Sequence, residues 1–90
     1  MYITIKFDLL WHLFIINYSM IRIITKRENE IFQLLVDGYT TDDISNLLNI
    51  SKKTVRNHIS NVIQKLGVSN RNQAILELLK MKIVLLKNPY

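Results

Sequence analysis

From Thr25 onward the apolar residues of this chain recur at helical spacing, and polar capping residues separate the groups. Ile31, Leu34 and Leu35 give one inner stripe, and Ile44, Leu47 and Leu48 give a second. Val55, Ile59, Val62, Ile63 and Leu66 form a third stripe, followed by an apolar-rich segment from Ala74 to Leu86. Thr25 and Glu28 are spaced as a capping box that opens the first helix, and Gly38 is placed to end it. Thr40 or Thr41 caps the second helix, where Asp42 and Asp43 suit its positive end. Asn49 tolerates the left-handed turn that follows. Ser51 caps a third helix that runs to Leu66 and is ended by Gly67, and Asn70 with Gln73 opens a fourth that extends through about Met81. The predicted fold is all-α, with four helices in a single domain over residues 24–90.

Residues 1–23 follow a different pattern and are expected to be a hydrophobic N-terminal extension. YITIKF alternates weakly, and LLWHLFII is almost wholly apolar. A membrane span needs roughly 18–20 consecutive apolar residues, and here His12, Asn17, Ser19 and Arg22 interrupt the run. No small-residue cleavage site marks a secretory signal. Two expectations follow for this segment: an additional hydrophobic helix packed on the domain or on a partner, or translation that begins at Met20.

Charge is unevenly placed. The chain has 12 Lys and Arg against 7 Asp and Glu, a net charge of +5. Thr25 to Asp43 holds two cations and five acids, whereas Ile44 to Tyr90 holds eight cations and one acid, Glu77. A segment so depleted in acid projects a positive field suited to a polyanion. The absence of cysteine excludes disulfides and thiolate chemistry and fits a reducing cytoplasm.

The third helix concentrates this asymmetry. At 100° per residue from Val55, the apolar positions fall within roughly 340° to 80°, and Lys53, Arg56, Asn57, Ser60 and Gln64 fall within roughly 100° to 200°. The polar side carries hydrogen-bonding groups and no acid. Arg can fork onto guanine, Asn onto adenine, and Ser can reach either kind of base edge. Lys52, Lys53 and the helix N-terminal amides suit phosphate oxygens. A short helix, a tight turn and a helix with a basic outer face describe a helix-turn-helix, whose second helix enters the major groove.

The stretch ITKRENEIFQLLVDGYTTDDISNLLNISKKTVRNHISNVIQKLGVSNRNQAI closely resembles the LuxR-type (GerE-like) helix-turn-helix transcription regulators, and its KTVRNHISN and QKLGV are most similar to the stand-alone GerE type. The resemblance covers about Ile24 to Leu79. It implies a four-helix domain that binds double-stranded DNA and dimerises through its last helix, with RNA polymerase as a further partner. It also implies control of late genes in spore-forming bacteria. Groove-facing positions would be Lys53, Thr54, Arg56, Asn57 and Ser60, with backbone contacts from Thr40, Thr41, Ser51, Lys52, Asn61 and Lys65. Ala74, Ile75, Leu78 and Leu79 would form the dimer face. Ile24 stands in place of the family's usual Leu, and Asp42 and Asp43 weaken backbone contacts unless they point away. The chain is too short to hold a receiver or sensor domain of ordinary size, so control by abundance is expected.

The apolar excess of the last helix independently points to a covered surface, supplied either by a second copy or by the N-terminal extension. Two other functions fit parts of the pattern: a promoter-reading module like region 4 of a sigma factor, and a small membrane-associated interaction protein. The KLGVSNRNQAI extension and the fourth helix favour the regulator over the sigma module. His12 and His58 lack neighbours at metal-ligand spacing. No nucleophile constellation or glycine-rich phosphate loop is present. Neither an enzyme activity, a cofactor nor a small-molecule ligand is expected.

Overall fold

The computed structural model describes residues 23–87 of the 90-residue chain. The strand-like YITIKF, the apolar run after it and the alternative start at Met20 lie outside the described residues. Four helices follow in order: α1 (Lys26–Val36), α2 (Thr41–Leu48), α3 (Lys52–Leu66) and α4 (Arg71–Lys80). No strand occurs among the described residues.

Each helix begins on a side-chain cap. Thr25 and Glu28 form the reciprocal capping box at α1, and Thr40 with Asp43 repeats it at α2. Ser51 accepts the Thr54 amide at α3, and Asn70 accepts the Gln73 amide at α4. The stops are equally uniform. Gly38, Asn49, Gly67 and Lys82 all have positive φ. In each case the next amide donates five residues back, Tyr39 to Leu34, Ile50 to Ser45, Val68 to Ile63 and Ile83 to Leu78. These are Schellman-type closures, which satisfy carbonyls left open at a helix end. The expected stops at Gly38, Asn49 and Gly67 are all present.

α3 is the central element and packs against α1, α2 and α4. Ile31, Phe32, Ile44, Val55, Val62, Ala74, Leu78 and Val84 are fully buried, joined by Ile24 and Ile59. Two expectations change. Phe32, outside the predicted stripe, is the bulkiest fully buried side chain, because α1 is covered on more than one side. Leu47 is 57% exposed, so Ile44 anchors α2 with Leu48 only partly buried. The last helix stops at Lys80 with Met81 as its cap, in line with the expected end at about Met81.

The chain then folds back over α1. Val84 enters the core, and Gln33 clasps Leu85 from both sides, its Nε2 donating to the Leu85 carbonyl (2.8 Å) and its Oε1 accepting the Leu85 amide (3.0 Å). Lys87 pairs with Asp37 at 3.2 Å. This return segment absorbs part of the apolar excess that the sequence pattern had placed on α4.

Candidate nucleic-acid interface

The orientation of α3 follows from its buried side. Val55 and Val62 are fully buried and Ile59 nearly so. Burial of such a side chain stabilises by about 1.5–3 kcal/mol, so rolling the helix would forfeit a large part of the roughly 5–15 kcal/mol that holds a typical domain together. The opposite side is therefore fixed outward. Lys53, Arg56, Asn57, Ser60 and Gln64 are all exposed, as is Asn61 on the flank. Gln64 lies on the same face, one turn beyond Ser60, as its position on the polar side of the helix leads one to expect.

The expected contact residues divide by whether their polar atoms are already engaged. Among the described residues, the side chains of Lys53, Arg56, Asn57, Ser60 and Asn61 make no hydrogen bond or ion pair within the chain. The second group is committed to the fold. Ser51 Oγ accepts the Thr54 amide at 3.0 Å and lies 2.9 Å from the Thr54 hydroxyl. Thr40 Oγ1 accepts the Asp43 amide at 3.1 Å, while the Asp43 carboxylate accepts the Thr40 amide at 3.0 Å. These bonds to Thr40 hold the Asp43 carboxyl below its ordinary 3.8. Lys52 pairs with Asp42 at 3.3 Å, both side chains remaining largely in solvent. Both acids at the start of α2 are thus occupied by local partners.

Lys65, expected to contact the DNA backbone, is already engaged within the fold. Its Nζ lies 2.7 and 2.9 Å from the two carboxylate oxygens of Glu28 and also donates to the Ile23 carbonyl at 3.0 Å. Glu28 is 2% exposed. Burial pushes its carboxyl up, but the Lys65 ammonium and the Thr25 amide outweigh this and hold it below 4.5. A cation needed to compensate a buried carboxylate is poorly available to DNA, because withdrawing it leaves that charge unpaired.

Between the two helices, Asn49 adopts φ 56° and ψ 46°, and the Ser45 hydroxyl donates to the Ile50 carbonyl at 2.8 Å. The turn comprises Asn49, Ile50 and Ser51 and fixes the angle at which α3 leaves α2. This is the helix-turn-helix arrangement, with the free polar face on its second helix. Residues 22–78 match the family described as bacterial regulatory proteins, luxR family. The chain belongs to this family.

As a luxR-family domain it is a DNA-binding transcription regulator of the LuxR/GerE type. It is 61% identical over 59 residues to the spore germination protein GerE of Bacillus subtilis (strain 168), a match covering 66% of this chain and 80% of GerE. It is 48% identical over 60 residues to the transcriptional regulatory protein DegU of Brevibacillus brevis, covering 67% of this chain but 25% of DegU. A solved structure of the transcription factor GerE superposes with a TM-score of 0.70 at 66% identity, covering 72% of this chain and 97% of that one. Among the described residues of this luxR-family domain, no helix is long and apolar enough to cross a membrane.

The expected dimer residues do not share one fate. Ala74 and Leu78 are fully buried in the chain's own core, which removes them from any surface available to a partner. Ile75 and Leu79 are partly buried, and Leu76, on the outer side, is 52% exposed. At 100° per residue, Ile75, Leu79 and Leu76 fall within an arc of about 100°, a contiguous outer stripe.

Proposed function

We propose that this protein acts as a dimer that reads an inverted repeat in promoter DNA, each copy placing α3 in the major groove. The reading is supported above all by the exposed, acid-free face of Lys53, Arg56, Asn57 and Ser60, backed by buried Val55, Ile59 and Val62. Arg56 and Asn57 read base edges, Ser60 makes a further base contact, and Lys53 binds phosphate at the helix start. Thr41, Asn61 and Lys52 add backbone contacts, with Lys52 exchanging Asp42 for a phosphate oxygen. Thr40, Ser51 and Thr54 act mainly by capping the two helices.

The stripe of Ile75, Leu76 and Leu79 mediates dimerisation and sets two α3 helices about one helical turn of DNA apart. By its kinship with GerE, the regulator controls genes of spore development or germination, acting on transcription through RNA polymerase at the bound promoter. Bound sites recovered by selection from random duplexes should contain two symmetric half-sites. Arg56→Ala should lose about 1–3 kcal/mol of discrimination at a single base position while binding other positions as before. Unchanged base preference in that variant would show that α3 does not read through Arg56.

A further inference from the structure

A cleft beside the helix-turn-helix gathers polar side chains, two of which, Arg71 and Asn72, have no part in the reading above. Tyr39, Thr40 and Thr41 line it from the start of α2, and Arg71, Asn72 and Ile75 line it from the start of α4. Leu35 and Gly38 complete it, so no acid contributes to its wall. Among the described residues, the Thr41 hydroxyl, the Arg71 guanidinium and the Asn72 amide have no hydrogen-bond or ion-pair partner. The acids next in sequence are engaged: Asp43 faces back onto Thr40, and Asp42 faces Lys52.

Arg71 is placed against the interest of its own helix. It is the first residue of α4, whose opening turn contains no acid. A cation there opposes the helix dipole, which favours negative charge at that end. An unpaired arginine in an electrostatically unfavourable position, beside hydroxyl and amide donors, is arranged to receive an anion from outside. The first helix of a helix-turn-helix crosses the DNA backbone, which brings phosphates to the start of α2 and hence to this cleft.

The geometry points to a phosphate contact by Arg71, assisted by Thr41 and Asn72, on the backbone flanking the groove that α3 occupies. This rests on α3 being the groove helix. The guanidinium forks onto two phosphate oxygens, and Thr41 and Asn72 donate to the same group or its neighbour. The contact positions the domain on the duplex and carries no base preference.

The test uses the full chain, a random-sequence duplex and a duplex recovered by selection, with affinity measured by fluorescence anisotropy over a salt series. Arg71→Gln should weaken both duplexes by the same factor and reduce the slope of log K against log salt by about 0.9. Arg71→Lys, which keeps the charge, should retain the slope. Arg71 is exposed and free of internal bonds, so both variants should melt like the parent. An unchanged slope in Arg71→Gln, or an equal loss of slope in Arg71→Lys, overturns the inference. If the parent chain itself binds neither duplex, the reading of α3 fails instead.

Discussion

At the scale of single residues, the Glu28–Lys65 pair carries more of the fold than any other ion pair described. The other four bridges join side chains of which at least one is largely in solvent, and such pairs contribute little. Glu28 instead has a side chain only 3% exposed, ties the first turn of α1 to the last turn of α3, and also caps α1. Lys65→Met should destabilise the domain by about 3 kcal/mol, because it strands a buried carboxylate. Glu28→Gln, which can still accept the Thr25 amide, should lose only about 1 kcal/mol. The folded-state carboxyl lies below its ordinary 4.5, so the pair contributes fully above pH 4.5 and loses its contribution as pH falls through the lower folded value. Urea unfolding from neutral pH into the acid range should therefore show a decline in the parent that is shallower in Glu28→Gln.

At the scale of elements, the four left-handed stops allow a paired experiment. A methyl added at Gly67 meets no atom within 4 Å, so Gly67→Ala should cost only the backbone strain, about 1–2 kcal/mol. Lys82 already bears that strain at φ 59°, and Lys82→Gly should stabilise by up to about 1 kcal/mol after the added freedom of the unfolded chain is counted. Thermal melts of the two variants should shift in opposite directions. The same comparison shows what the sequence reveals. Caps and glycine or asparagine stops are local signals, so the boundaries of α1, α2 and α3 were legible. The fold-back of the chain after α4 was not, because Lys82 advertises no turn and Ile83 to Leu86 prolong the apolar run. The α3 face was legible because its period is local. The diversion of Lys65 to a carboxylate 37 positions away, the burial of Phe32 and the cleft at Arg71 depend on how distant segments meet, and no spacing rule contains that.

At the scale of the whole molecule, the described residues leave an apolar surface incompletely covered. Leu76 is 52% exposed beside the partly buried Ile75 and Leu79. The proposed dimer predicts that Leu76→Glu combined with Leu79→Glu shifts sedimentation to the monomer and lowers affinity for a two-half-site duplex far more than for a single half-site. An unchanged sedimentation coefficient would show that this stripe mediates no dimer contact. The domain otherwise separates two demands cleanly, since Lys53, Arg56, Asn57 and Ser60 owe nothing to the interior and the interior owes nothing to them. On the proposed reading, Arg56, Asn57 and Ser60 can therefore be exchanged and a new base preference acquired while the scaffold behind them stays unaltered.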